Sequence, residues 1–412
     1  MCNYLMMNRR NFLRACTVSG LLPGGVAASI HGASAHQADG TATTGSESAT
    51  VPVERGRRVV NQAQYDDGTI PDTPPSYNSE TVAVDSQTVD EITAGRELSA
   101  ELLGRLNELA GTQLDFDSST HTVSVSRQST ADGLRLFVDC PPGTNTGRID
   151  STVERIIDQL GSESLESRLP DHVETVDIQV RNRPTERLEV DCQRSFGRFA
   201  DAKYRTNGIA MGAAARSETV GKIASTGFRG LRNGRGVIVT TAHTFETNKD
   251  QPPAELRGAE LYQSRRPHSV GRCHAIDGRV DAAAVAVDTD SYPSRYLAAP
   301  GGNSYNDEPI VGTASWSVLE AYHAEGRPIY KQGAVSGRCE GRITELSESD
   351  SGYRELGVDI HSAGGDSGGP YFISTDEGLL VAGIHKGVRS VGSQRRAVFV
   401  GSILDSLGIS FY

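Results

Sequence analysis

Gly365-Asp366-Ser367-Gly368-Gly369-Pro370 places one serine in a run of small residues, where a hydroxyl nucleophile and the backbone donors it needs can share a narrow space. Ser367 is the expected nucleophile, attacking a carbonyl carbon. The amides of Gly365 and Ser367 would then face the oxyanion of the tetrahedral intermediate. A Gly-Ser string also makes a plain surface turn, but this one is framed by strand-like segments at 356–360 and 371–373. A serine hydroxyl is a weak nucleophile without a base. The run Gly236-Val-Ile-Val-Thr-Thr-Ala-His-Thr-Phe245 supplies one, because its β-branched strand delivers His243 at its end.

The segments around His243 and Ser367 resemble those of the chymotrypsin-like serine peptidases, a resemblance that implies an aspartate between the two. Asp281 opens the apolar run Ala282-Ala-Ala-Val-Ala-Val287 and fits that place. Its rivals are Asp277, before a Gly-Arg turn, and Asp288 and Asp290, at the far end of the strand. The order His, Asp, Ser, with the segments Thr241-Ala242-His243 and 365–370, resembles the chymotrypsin-like serine peptidases. The likeness is to their bacterial secreted branch, which includes the streptogrisins and α-lytic protease, and it covers roughly the C-terminal half. It implies an all-β double β-barrel with the catalytic groups in the cleft, His243 and Asp281 from the first barrel and Ser367 from the second. It further implies that His243 takes the proton of Ser367 and returns one to the leaving amine, while Asp281 holds the imidazole tautomer. Protein or peptide substrates are implied, with no cofactor and no metal.

The chain departs from that family at two cysteines. Thr244 follows His243 where most relatives carry a bridged cysteine, and Tyr330 replaces the cysteine of the bacterial Cys-Arg-Ser-Gly-x-Thr-Thr-Gly segment, here 330–337. Both family bridges are therefore missing. Lys331 stands where that segment has an arginine paired with the aspartate before the nucleophile. The resemblance thus implies a Lys331–Asp366 ion pair holding the oxyanion loop; an exposed edge-strand lysine is the other reading.

By the same resemblance, His361, Ser362 and the strand 382–387 line the pocket for the side chain before the scissile bond. His361 takes the floor position six residues before Ser367, which disfavours a trypsin-like preference. Gly383-Ile384-His385 is similar to the Gly-(Val/Ile)-His of bacterial glutamyl endopeptidases. His385, with Ser362 and Lys386, is therefore expected to bind an acidic side chain by charge-assisted hydrogen bonds. A merely packed histidine is the alternative.

Residues 205–412 are expected to form the barrels. They alternate short β-branched strands with glycine turns, at 208–212, 220–225, 236–242, 282–287, 310–313 and 396–399, and a C-terminal helix begins at 403–407. Residues 81–195 have another character. Leu98, Leu102, Leu103, Leu106 and Leu109, then Ile149, Val153, Ile156, Ile157 and Leu160, fall at helical spacing, with strands expected at 122–126, 134–139 and 175–180. This reads as a small α+β domain. By analogy with bacterial secreted peptidases it is a pro-domain and intramolecular inhibitor; an accessory domain that stays attached is the other reading.

Residues 36–80 are poor in large apolar groups and read as a disordered linker. Arg9-Arg10-Asn11-Phe12-Leu13-Arg14 looks like a twin-arginine export signal within 1–35, with cleavage expected after Ala33-Ser34-Ala35. Its apolar stretch is too short and broken to span a membrane stably. A secreted enzyme made as a zymogen is the expectation.

Of six cysteines, Cys2 and Cys16 would leave with the signal. Cys140, Cys192, Cys273 and Cys339 allow three pairings. Loss of the pro-domain would leave Cys273 with Cys339 as the bridge of the mature domain, and Cys140 with Cys192 as a staple of the pro-domain. No Cys-x-x-Cys zinc spacing occurs. A net charge of −11 over 412 residues disfavours nucleic acid as a partner. With the export signal, it suggests a salt-adapted host. The second functional class is a catalytically silent homologue that binds a protein or surface. Silent homologues usually lack a triad residue, and this chain carries all three.

Overall fold

The computed structural model describes residues 5–8, 49–182, 186–187 and 208–412, apart from breaks between elements of which 110–123 is the longest. The paired arginines and cleavage segment of the expected signal lie outside the described residues. A short strand β1 (Leu5–Asn8) precedes a hairpin of β2 (Thr50–Val59) and β3 (Tyr77–Asp85). Helix α1 (Ser86–Leu109) follows directly. Its first turn is capped by the Asp85 carboxylate, which accepts from the amides of Gln87 at 3.0 Å and Thr88 at 3.2 Å.

Strands β4 (Ser124–Thr130) and β5 (Gly133–Cys140), helix α2 (Thr146–Leu160) and strand β6 (Thr175–Asn182) complete an α+β layer, and β7 (Glu186–Arg187) lies beyond it. The apolar stripes meet in its core. Leu98, Leu102 and Leu106 of α1 pack with Ile149, Val153, Ile156 and Ile157 of α2 over Val125, Leu136 and Val138.

The hairpin corrects the expected linker. Residues 50–59 pair with 77–85 at nine positions, and β2 also pairs with a strand of the C-terminal half. Half of the β2 residues are exposed, which fits the polar composition; the strand pairs along its length with β3 and at Gly56–Arg58 with a distant strand edge.

The C-terminal half contains β8 (Ile209–Met211), β9 (Ala214–Ser217), β10 (Ile223–Ser225), β11 (Arg229–Arg232), β12 (Arg235–Thr240), a single turn α3 (Pro253–Leu256), β13 (Glu260–Gln263), β14 (Ser269–Asp277) and β15 (Ala282–Val287). Strands β10-β9-β13-β14-β15-β12-β11 form one antiparallel sheet in that order, coiled around Ile238, Phe245, Leu261 and Val285. Strands β16 (Pro293–Ala298) and β17 (Tyr305–Ala314) and helix α4 (Trp316–Ala324) lead onward. The helix was not expected from the sequence. Its one local signal is Ser315, whose hydroxyl caps it by accepting from the Val318 amide at 3.1 Å.

The second barrel consists of β18 (Pro328–Gly333), β19 (Gly337–Ser349), β20 (Arg354–Ile360), β21 (Pro370–Thr375), β22 (Gly378–Arg389) and β23 (Arg395–Phe399). It closes as β18-β19-β20-β23-β22-β21 and back to β18, every pair antiparallel. Ile343, Val358, Phe372, Leu380 and Val398 fill it. Helix α5 (Val400–Leu407) stops at Gly408, whose φ of 61° suits glycine, and β24 (Ser410–Phe411) returns to β11 of the first barrel. The C-terminal half thus holds one closed six-stranded barrel and a second, coiled antiparallel sheet, the all-β layout expected from the sequence.

The α+β layer joins the second barrel through its sheet, because β4 pairs antiparallel with β19 from Arg127↔Leu346 to Ser124↔Ser349. Two buried carboxylates of the C-terminal half meet arginines of the layer. Glu320 on α4 is bonded by Arg96 and Arg127, and Glu345 on β19 accepts from Arg181 at 3.0 Å. No helix among the described residues is long and apolar enough to cross a membrane.

Candidate active site

Strand β12 ends at Thr240, and a tight turn over Ala242–Thr244 then presents His243. The buried hydroxyls of Thr241 and Thr244 lie 2.9 Å apart. That bond closes the turn at the position where relatives were expected to carry a disulfide. Strand β15 starts just after Asp281 and pairs with β12 at Thr240↔Ala283, which sets Asp281 beside the turn.

Asp281 has a φ of 46°, a left-handed conformation uncommon outside glycine. In it, one carboxylate accepts two bonds from one residue: from the His243 amide at 3.0 Å and from His243 Nδ1 at 2.8 Å. A bond in which the carboxylate accepts places a ring proton on Nδ1 and turns Nε2 away from Asp281. The rival Asp277 is occupied by Arg279 and, at 2.6 Å, by the Ser406 hydroxyl.

Ser367 lies on the loop between β20 and β21, partly exposed. First-barrel residues stitch this loop in place. The Ser225 amide donates to the Ser367 carbonyl at 2.7 Å, and the Ser225 hydroxyl donates to the Gly365 carbonyl at 2.8 Å. A Cβ on Gly368 would fall 2.4 Å from both the Ser225 carbonyl and Thr240 Oγ1. This approach, open only to glycine, brings the serine loop to the end of β12 that carries His243. Gly365 has a φ of +100°, again a glycine conformation. On its other side the loop bonds β22: the Gly368 amide donates to the His385 carbonyl and the His385 amide to the Gly369 carbonyl, both at 2.8 Å.

Asp366 turns inward to Lys331. Its Oδ2 lies 2.5 Å from Lys331 Nζ, and both side chains are fully buried. The carboxylate also accepts from the Ser336 hydroxyl at 2.5 Å and from the amides of Val335, Ser336 and Ala363 at 2.9–3.1 Å. Burial pushes the Asp366 carboxyl up, but the Lys331 charge and the hydrogen bonds from Lys331 and Ser336 outweigh it and hold it at about 2. An exposed edge lysine is thereby excluded. Sequence reasoning missed Ser336, whose signal was a small hydroxyl residue in the 330–337 segment.

The expected pocket residues divide. His385 is fully buried, its Nδ1 3.1 Å from the hydroxyl of Tyr371 on β21, and Ser362 is buried in the loop before Ser367. His361 is exposed, so it does not form a buried floor. Lys386 is also a correction. Lys386 Nζ lies 2.9 Å from Glu355 in a buried chain that continues through Arg396 to Glu345, so its charge is already engaged. Tyr371 was missed because nothing in its own segment announces a histidine partner across the strand pair.

The expected Cys273–Cys339 bridge is absent: both are free thiols. Cys273 is in the core of the first barrel and Cys339 is on β19 of the second, near Ser336. Cys140 is buried in the α+β layer, and its proposed partner Cys192 lies outside the described residues. Burial pushes the thiols of Cys140 and Cys273 up to about 12. Among the described residues no three His, Cys, Asp or Glu side chains gather as a metal site would require.

No protein-family model and no curated protein matches this sequence. Solved structures are similar over half of the chain. A glutamic acid-specific serine protease, described as using a histidine triad in substrate binding, is 22% identical over 50% of this chain and 100% of its own, with a TM-score of 0.38. Thermobifida fusca protease A is 16% identical over 49% and 97%, with a TM-score of 0.36. Cellulomonas bogoriensis chymotrypsin is 18% identical over 50% and 98%, with a TM-score of 0.35. The closed second barrel and the coiled sheet beside it are defined by the strand pairing given above.

Proposed function

We propose that this protein is a serine endopeptidase that cleaves peptide bonds through an acyl-enzyme, with Ser367 as nucleophile, His243 as general base and then acid, and Asp281 as the group that orients His243. The observation that carries this reading is the two-point grip of Asp281 on His243, at the backbone amide and at Nδ1. It leaves Nε2 as the basic nitrogen, on the end of β12 against which the Ser367 loop is packed. Ser367 Oγ gives its proton to Nε2 as it bonds to the carbonyl carbon; the imidazolium then protonates the leaving amine, and water repeats the cycle to free the acid. The amides of Gly365 and Ser367 stabilise the oxyanion, and the Lys331–Asp366 pair braces the loop that carries them.

The buried imidazole of His385, one strand from Ser367, supports a preference for an acidic side chain before the scissile bond, with Ser362 as a second donor. Burial strengthens such charge-assisted bonds. The α+β layer acts as an intramolecular inhibitor of a zymogen. In support, β7, on the chain leading out of that layer, pairs antiparallel with β22 at Val388↔Arg187 and Arg389↔Glu186, just beyond His385. An extended segment on that edge uses the backbone groups that a substrate strand would need. The twin-arginine-like start supports export before maturation.

The test compares the exported chain with Ser367→Ala at several salt concentrations, using a fluorophosphonate probe and mapping both the labelled peptide and any new N-terminus. Labelling of Ser367 in the wild type alone, with cleavage within 188–207 lost in the variant, is expected. A folded, cleaved wild type that never labels would instead make the protein a silent binding homologue.

A further inference from the structure

We infer that residues 50–85 are a permanent strand pair of the C-terminal barrel rather than part of a removable leader, so that cleavage within 188–207 yields two chains that stay together. The position of the cut rests on the zymogen reading above; the retention of the hairpin rests on its own contacts.

Strand β2 completes a strand edge. It pairs with β17 at Gly56↔Ala314, Arg57↔Thr313 and Arg58↔Gly312, while β17 pairs with β22 of the closed barrel on its other side. The Ser315 amide adds a bond to the Arg55 carbonyl at 3.0 Å, and the Ser315 hydroxyl bonds the Glu54 carbonyl. The two backbones approach so closely that each needs glycine. A Cβ on Gly56 would fall 2.1 Å from the Thr313 carbonyl oxygen, and a Cβ on Gly312 would fall 2.1 Å from that of Arg57.

The turn after β2 carries buried groups into the same body. Val59, the last residue of β2, belongs to the apolar core cluster that runs through the C-terminal half. Gln62 donates to the Ile310 carbonyl at 2.8 Å. Tyr65, 1% exposed, packs against Tyr412 with ring centroids 4.8 Å apart, and the Tyr77 hydroxyl bonds the Phe411 carbonyl at 2.5 Å. The hairpin therefore covers the C-terminal strand, which itself ties the two barrels together. Removing it would open a strand edge and expose apolar core at one stroke.

There is a consequence for inhibition. Strand β3 ends at Asp85 and α1 begins at Ser86, so the α+β layer is joined without a linker to a hairpin built into the barrel. After one cut the layer remains tethered, and its rebinding is intramolecular and insensitive to dilution.

The test needs no catalysis by the protein. A recognition site for an unrelated protease is placed within 188–207 of the full chain carrying Ser367→Ala, and the cut protein is followed by hydrogen exchange and by size-exclusion chromatography in increasing denaturant. Amides of 55–59 and 312–315 are expected to keep the slow exchange of the uncut protein, and the two chains are expected to separate only when the barrel unfolds. Fast exchange in either segment, or a folded 205–412 fragment eluting alone, overturns the inference. Gly56→Val, read the same way, is expected to bring separation to lower denaturant; no change in that midpoint also overturns it. Fluorophosphonate labelling of the wild type reports separately on the enzyme reading.

Discussion

Lys331 Nζ lies 2.5 Å from Asp366 Oδ2 with both side chains fully buried, so the loop that carries Ser367 is anchored by a charge pair that water does not reach. Asp366 accepts three backbone amides as well, and none of these bonds compensates its charge if Lys331 is removed.

Lys331→Met is therefore expected to destabilise the protein by about 3–5 kcal/mol, the range for breaking one side of a buried pair. Pairing it with Asp366→Asn should recover most of that loss. Denaturant unfolding of the wild type and the two variants checks it.

The same pair sets an acid limit. Asp366 is held at about 2, below its unfolded value, so its contribution is fully present above the ordinary carboxylate range and is lost as the pH falls through 2. A pH series of unfolding free energies should show about 2 kcal/mol less acid sensitivity in Asp366→Asn combined with Lys331→Met than in the wild type.

Asp281→Asn is expected to lower kcat by roughly four orders of magnitude, because an amide can donate to Nδ1 and stabilise the wrong tautomer. The fold should persist, since the amide can still accept from the His243 amide. Far-UV circular dichroism alongside fluorophosphonate labelling rates separates the two effects.

His385→Leu should reduce kcat/KM for substrates with glutamate before the scissile bond at least about tenfold relative to those with leucine. Lys386→Met should leave that ratio unchanged, because the Lys386 charge is engaged with Glu355. A matched pair of peptide substrates is sufficient; an equal loss on both substrates in His385→Leu would reduce His385 to a packing residue.

With Cys273 and Cys339 unbonded, reductant should leave the Tm of the protein unchanged. Cys273, its thiol pushed up to about 12, should react with iodoacetamide only after denaturation.

Much of this protein was readable from local pattern. The helical spacing of Leu98, Leu102 and Leu106 and of Ile149, Val153 and Ile156 located α1 and α2, because a helix that must bury one stripe repeats it every three to four residues. Ser367, His243 and Asp281 were named from small-residue runs and strand ends.

What only the tertiary structure decided was partnership between distant segments. Residues 50–59 look like a linker because many of their side chains are polar, and they lie inside a sheet because β3 pairs along their length and β17, some 250 positions away, offers an edge to 56–58. Ser336, Tyr371 and Glu355 gain their roles from strands that meet them across the barrel, and Cys273 and Cys339 are kept apart by belonging to different barrels. Sequence periodicity determines which face of an element is buried; register and sheet closure determine what that face meets.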